Sequence, residues 1–492
     1  MVGIVSQLVL TQGRNVIAGN AYPQIPNIKI SLAAAILLGY VDHRGVCAQI
    51  RAPINKPMPK STPKPMPKKT NKPKPKKPST MMKPTQTQLQ LWRQVGFDID
   101  GEAEYDYSGS AVSLSADGKV IAIGAIHNGY YSGHVRVYAW NNTTKKYTQR
   151  GTDIDGEAEY DYSGSAVSLS ADGKILAIGA KYNDGKNGND SGHVRVYAWN
   201  SISTKYIQRG TDIDGEAAGD RSGTSVSLSA DGKVLAIGAV DFGQKICHVR
   251  VYAWNSISSK YTQRGTDIDG EAANDQSGSA VSLSADGKVL AIGAKFNDGK
   301  NGKNSGHVRV YAWNNTTKKY IQRGTDIDGE DEYDYSGSAV SLSADGKVLA
   351  IGAWLNDGKN GQESGHVRVY AWNSISTKYI QRGTDIDGED EYDYSGSAVS
   401  LSADGKVLAI GADYNYGRNG QESGHVRVYA WKSTSTKYIQ RGTDIDGEAA
   451  GDRSGTSVSL SPDGKVLAIG TPYNHGKNGT YSGHVRVYAW GD

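Results

Sequence analysis

The sequence predicts an all-β fold: a seven-bladed β-propeller of four-stranded antiparallel blades behind a disordered N-terminal Lys/Pro-rich arm. Three observations carry this. The string HVRVYAW occurs seven times, ending at Trp140, Trp199, Trp254, Trp313, Trp372, Trp431 and Trp490. The string DIDGE also occurs seven times, and the first and third units are shorter in one place only, just before HVRV. No unit has helical periodicity, and strand-rich repeats of this length are the signature of propellers.

The second unit shows each element. Residues 165–170 (SAVSLS) alternate as a strand does. Asp172-Gly173 is a hairpin signal. Residues 175–180 (ILAIGA) form a continuous apolar run, hence a strand covered on both faces. Residues 181–192 are a Gly/Asn/Asp-rich loop. Residues 193–199 (HVRVYAW) alternate with period two. Residues 205–211 (KYIQRGT) give a fourth strand, and the next DIDGE follows as the link between blades. The last unit stops at Asp492 without a fourth strand. Residues 89–96 (LQLWRQVG) align with KYIQRG and supply it, so a strand from the opposite end closes the ring and removes its edges.

The order Ser-Gly-Ser-Ala-Val-Ser-Leu-Ser, Asp-Gly, Leu-Ala-Ile-Gly-Ala, Gly-His-Val-Arg-Val-Tyr resembles the FG-GAP repeat of the integrin α-subunit head. It covers residues 90–492. Ser163-Gly164 stands for the family's Phe-Gly, and Gly179-Ala180-Lys181 for Gly-Ala-Pro. The Asp-rich calcium hairpin of the family is cut to Ala-Asp-Gly-Lys. The resemblance implies a seven-bladed head and adhesion-type recognition.

Residues 1–48 read as a leader with a signal-peptide-like apolar segment: Lys29, then twelve apolar residues at 30–41, then Val46-Cys47-Ala48 with small residues at a cleavage spacing. That run is too short to span a bilayer, and no stretch of 18 apolar residues exists. Residues 49–86 are a disordered linker in which Arg51–Pro84 carries ten lysines and no acid; proline at that density favours extended polyproline II. Residues 1–89 sum to +13 and the rest to −9, giving the net +4. The propeller takes residues 87–492. Two cysteines, Cys47 and Cys247, exclude a disulfide scaffold.

The strongest chemical pattern is DIDGE followed by a fourth acid. These quartets are Asp98, Asp100, Glu102 and Asp106; Asp153, Asp155, Glu157 and Asp161; Asp212, Asp214, Glu216 and Asp220; Asp267, Asp269, Glu271 and Asp275; Asp326, Asp328, Glu330 and Asp334; Asp385, Asp387, Glu389 and Asp393; and Asp444, Asp446, Glu448 and Asp452. Two readings are open. Four carboxylates around a glycine turn suit calcium, which takes six to eight oxygens. The same acids suit an Asx-type turn, capping backbone N–H groups between blades. The seven HVRV histidines, such as His134 and His484, read as packed between blades rather than as metal ligands.

Tyrosines follow DIDGE at Tyr105 and Tyr107, Tyr160 and Tyr162, Tyr333 and Tyr335, and Tyr392 and Tyr394. Strand direction puts these loops and the long Gly/Asn loops on one rim, where a rigid scaffold presents variable residues for binding. No Ser/His/Asp order, phosphate loop or His-Glu-x-x-His appears. Departures from the repeat (His127, Tyr130 and Tyr131 in one loop, then Cys247, Trp354, Arg418 and His475) are scattered over loops of different blades, so no enzyme is expected. The expectation is a secreted or surface-anchored interaction protein. Its rim binds a protein or glycan, its arm binds a polyanionic wall or matrix polymer, and no nucleic acid is expected. The alternatives are a lyase or hydrolase acting in the central channel and a purely structural wall protein.

Overall fold

The computed structural model describes residues 91–241 and 246–491. The expected leader, the linker and the first two residues of the closing strand lie outside the described residues. Apart from one left-handed turn at Asn128–Tyr131, with φ +59 at Gly129 and +57 at Tyr130, the regular structure among the described residues is strand throughout, grouped into seven separate antiparallel sheets.

The second blade runs Ser163–Leu169, Ile175–Ala180, His193–Asn200 and Lys205–Gln208 in spatial order. Val196 lies opposite Ala177, and Trp199 opposite Tyr206. The expected fourth strand is shorter than 205–211, because the ladder breaks at the glycine and then resumes. Arg209 donates its backbone N–H to Val196 O at 2.7 Å, and Ile213–Asp214 then pairs with Val194 and His193. DIDGE is therefore not all loop. Its isoleucine is buried (Ile213) and continues the outer edge of the blade.

The turn between the first two strands holds Gly173 at φ +63, and a Cβ there would sit 2.8 Å from Val120 of the preceding blade. Both the left-handed backbone and the blade spacing require glycine.

The cores lie between blades, not within them. One cluster joins Val120, Ala122, Val135 and Val137 of the first blade to Leu169, Leu176, Ile178 and Tyr197 of the second. Six more clusters of the same kind complete the ring. Second-strand residues such as Ile121, Leu176 and Leu235 are 0% exposed because a neighbour covers each face. This explains the uninterrupted apolar run in the sequence.

The first strands line the axis and are tied to one another. Leu169 N–H donates to Ser113 Oγ at 2.9 Å, and the bond recurs at every junction, including Leu114 to Ser459 across the seam at 3.0 Å. Closure is as expected. Leu91–Gln94 pairs antiparallel with the last strand, Trp92 opposite Trp490. Trp92 donates its indole N–H to Arg441 O at 3.0 Å and packs 5.5 Å from Trp490. Truncation to residue 97 is expected to lower the melting temperature well below that of truncation to residue 86. Trp92→Ala in the full chain is expected to cost about 2 kcal/mol, below the range for a fully buried aromatic because Trp92 is half-buried. Equal melting temperatures for the two truncations contradict the closure.

Candidate functional site

The loop before each first strand and the loop between the second and third strands share one rim, as expected. They clasp each other across blades. Tyr105 and Tyr107 donate backbone N–H groups to Thr480 O and Tyr481 O of the last blade, at 2.8 and 3.1 Å.

The four acids of each DIDGE loop do different things. The first aspartate accepts from the glutamine four residues earlier, as Asp153 does from Gln149 at 2.6 Å. The second sits on the short edge strand beside the histidine, as Asp155 does beside His134. Its carbonyl oxygen accepts from an arginine of the next blade: Arg195 Nη2 donates to Asp155 O at 2.8 Å. The same guanidinium meets the glutamate, with Arg195 Nη1 3.3 Å from Glu157. All seven blades repeat this arginine bridge, from Arg136–Glu102 at 3.4 Å to Arg486–Glu448 at 3.7 Å.

The fourth aspartate is buried and caps the loop. Asp161 Oδ2 accepts from Glu157 N at 3.1 Å, Ala158 N at 2.9 Å and Asn183 Nδ2 at 3.0 Å. This is the capping arrangement of the Asx-type turn. Burial raises the pKa of Asp334 and Asp393 at the same position despite these bonds.

The acids of one quartet spread over several partners, and acids of successive quartets come together. Glu102, His134 and Asp153 offer ligand atoms within 4.8 Å of one another, and four other junctions show the same trio. The hairpin where the resemblance has its calcium holds a single aspartate. Asp117 Oδ1 there accepts from Ser115 Oγ at 2.7 Å and Lys119 N at 3.0 Å. One carboxylate already taken by the turn does not fit a calcium ion.

Six of the seven HVRV histidines are buried, as expected, and His248 is half-buried. Burial, helped by the adjacent arginine, holds His366 down to about 3 and His425 and His484 to about 4. His134, His193 and His307 are lowered for the same reasons.

Half of the rim tyrosines turn inward. Tyr105, Tyr160, Tyr333 and Tyr392 are exposed, whereas Tyr107, Tyr162, Tyr335 and Tyr394 join a belt of aromatic rings around the axis. On one side the belt runs from Tyr107 to His127 (4.4 Å), Tyr162 and Tyr182, and then to the Arg221 guanidinium. On the other side Phe296, Tyr335, Trp354, Tyr394 and Tyr414 follow one another, and Arg453 joins Tyr414 to Tyr473. Tyr473 returns to Tyr107 at 5.1 Å. His127 and Trp354, which look scattered in the sequence, therefore belong to one structure. Sequence reading named Lys181 only against the proline of the resemblance, and it missed Lys295 and Asp413 as departures from the repeat. All three occupy the residue after the second strand, where a loop of varied composition begins.

Grooves of about 780 and 550 Å³ lie elsewhere, beside Trp372 and Trp313 at the blade edges. Both repeat the same set of Trp, Ile, Gln and Arg side chains. The fourth strands of the first six blades read KYIQ or KYTQ, so the grooves read as scaffold.

Residues 325–370 match the family model described as FG-GAP repeat. The matched segment lies mostly in one of the seven sheets of the propeller, and the same unit recurs around the ring. Comparison with curated protein sequences returns no match. Among solved structures it is similar to the periplasmic gluconolactonase PpgL of Pseudomonas aeruginosa, at 16% identity and a TM-score of 0.46, over 70% of this chain and 86% of that one. It is also similar to the Dos1 propeller, at 13% identity and a TM-score of 0.44, over 80% of this chain and 94% of that one. Likeness at this level says nothing about activity.

Two outcomes follow from the site. Asp161→Ala is expected to cost about 2–4 kcal/mol, because several donors to a charged acceptor lose their partner at a buried position. The shift of the urea midpoint measures it, and a change below about 0.5 kcal/mol, the range of an ordinary surface substitution, contradicts the capping role. The second outcome concerns pH. Histidines with lowered pKa bind fewer protons folded than unfolded, so stability is full above the unfolded value of about 6.5 and falls as pH drops toward 4. The urea midpoint is expected to decline from just below pH 6.5, above the carboxylate range, and His366→Gln is expected to shallow the slope.

Proposed function

We propose that the protein is an adhesion-type interaction protein, secreted or held at a cell surface, whose loop-rich rim binds a protein or glycan. One observation carries this: the changes of loop length between otherwise near-identical blades, and most of the changes of residue, lie on that rim. The exposed Tyr105, Tyr160, Tyr333 and Tyr392 and the inner belt lie there. The opposite rim keeps its Asp-Gly turn in every blade and varies only in the sequence, not the length, of its other turn, from NNTTK at 141–145 to KSTST at 432–436. FG-GAP repeats support an extracellular setting, and no helix among the described residues is long and apolar enough to cross a membrane. The reading assigns no catalysis. Changing the four exposed tyrosines to serine is expected to lower binding to arrays of matrix proteins and glycans at least tenfold; unchanged binding sinks the reading.

The Lys/Pro arm is assigned to an acidic wall or matrix polymer. Ten lysines without an acid bind through charge alone, so retention on heparin is expected to collapse as salt rises. A propeller without the arm, at −9, is expected to flow through. Equal retention of the armless chain reduces the arm to a spacer.

A divalent cation at the acidic loops is the second reading, favoured by the five Asp/Glu/His trios. A bound ion, calcium included, stabilises by mass action. A melting temperature that rises with calcium and falls with chelator supports it; an unchanged curve in excess EDTA leaves the acids as turn and bridge.

A further inference from the structure

Five junctions bring a buried histidine and two carboxylates together, and at one of them the seam closes the ring. We propose that Asp98, Glu448 and His484 bind a zinc-class divalent ion at this seam, and that the ion clasps the closing strand to the last blade. The inference rests on the divalent-cation reading of the acidic loops and deepens it by naming the class of metal and the place.

The backbone sets the three residues side by side. Leu91–Gln94 and Ile99–Asp100 both pair with the last strand, the second with Asp100 opposite His484. Asp98 sits in the break between them. Glu448 comes from the loop before the first strand of the last blade, and His484 opens its third strand. One ligand atom from each lies within 4.8 Å of the other two. The trio borders a cavity of about 980 Å³ that Asp100, His475 and Lys477 also line, so an ion has room to enter with water attached.

Two acids alone are a repelling pair, and the histidine makes them a site. His484 is 1% exposed. Its Nε2 is buried without a partner, and its Nδ1 faces Glu448 Oε2 at 3.9 Å, too far for a hydrogen bond. With the ring proton on Nε2, Nδ1 offers a lone pair toward two carboxylates, an arrangement that a cation satisfies. Both acids are held from behind. Gln94 Nε2 donates to Asp98 Oδ1 at 2.6 Å, and Arg486 Nη1 lies 3.7 Å from Glu448 Oε1, which leaves Oε2 toward the imidazole. Outer contacts that aim the ligands in this way are the usual support of a metal site.

The donor set chooses the metal. One imidazole nitrogen and two carboxylate oxygens, with room for water, suit a four-coordinate zinc-class ion. Calcium takes six to eight oxygens, and Asp100, the other carboxylate of the cavity, already accepts from the Lys477 backbone N–H. Bonds of about 2.0–2.2 Å to zinc place ligand atoms about 3.4 Å apart, so the carboxylates close by about an ångström. Glu448 is partly exposed and free to do so. The four other trios offer the same donors, but at the seam the ion also joins the two ends of the ring.

Hydrogen exchange of the full chain, stripped with EDTA and dialysed, reads the seam by itself. Mass spectrometry follows the peptide covering Leu91–Gln94 at pH 7 as zinc chloride or calcium chloride is added. An ion at about ten times its Kd lowers the open population about tenfold, so zinc is expected to slow exchange of this peptide by about that factor. Calcium at the same concentration is expected to leave it unchanged. Asp98→Asn, which keeps an acceptor for Gln94, and His484→Gln are each expected to raise the zinc concentration for half of the effect by about tenfold or more. Both variants are first shown to melt with the parent in EDTA; if His484→Gln does not, Asp98→Asn decides alone. Zinc protection that a folded variant leaves unchanged overturns the site. Protection by calcium at the same concentration, with or without zinc, overturns the metal assignment and leaves the cation reading standing. No protection by either ion overturns the seam site, and if the melting temperature is also indifferent to both ions the cation reading falls with it.

Discussion

No blade of this protein can exist alone, and the rest of the structure follows from that constraint. The second strand of each blade has no wet face: Leu176, Leu235 and Leu290 are 0% exposed, each covered by a neighbouring blade on one side. An isolated blade leaves these side chains in water, at roughly 1.5–3 kcal/mol each. An open array leaves two such faces. Seven blades in a ring leave none, and the seam between Leu91–Gln94 and the last strand spares the ring an unpaired edge.

Polar groups make the junctions specific where apolar area alone does not. One arginine per blade reaches the carbonyl of the preceding edge strand and the glutamate two residues on, as Arg136 does with Asp100 and Glu102. The fourth aspartate folds the loop back onto its own amides. The acids that look like a metal quartet in sequence are thus distributed over turn, edge strand and junction. The same scaffold holds the loops rigid, and positions that can vary without harm to the ring are confined to the rim.

Much of this was legible in the sequence, because an exact repeat exposes what each position must tolerate. The apolar run 175–180, the alternation of 193–199 and the orphan Leu91–Gln94 strand each had one physical reading. The break in the fourth strand was not legible: a glycine after KYIQR looks like the end of a strand, and only burial of Ile213 shows that the ladder resumes. The inward turn of Tyr162 and Tyr394, against the outward turn of Tyr160 and Tyr392, was hidden for a similar reason. Successive loop residues with left-handed φ, such as +69 at Tyr160 and +54 at Tyr162, point where the backbone sends them rather than where polarity suggests.

Whether the chain closes on itself in this way is open to direct measurement. Arg93 lies opposite Ala489 in the closing ladder. In a background with Cys47 and Cys247 replaced by serine, Arg93→Cys with Ala489→Cys brings two thiols to neighbouring strands. Oxidation is predicted to give one intrachain disulfide between these positions in a monomer, found by peptide mapping, with a higher melting temperature than the reduced form. A chain that stays reduced, or that forms the link only between molecules, contradicts the closed ring.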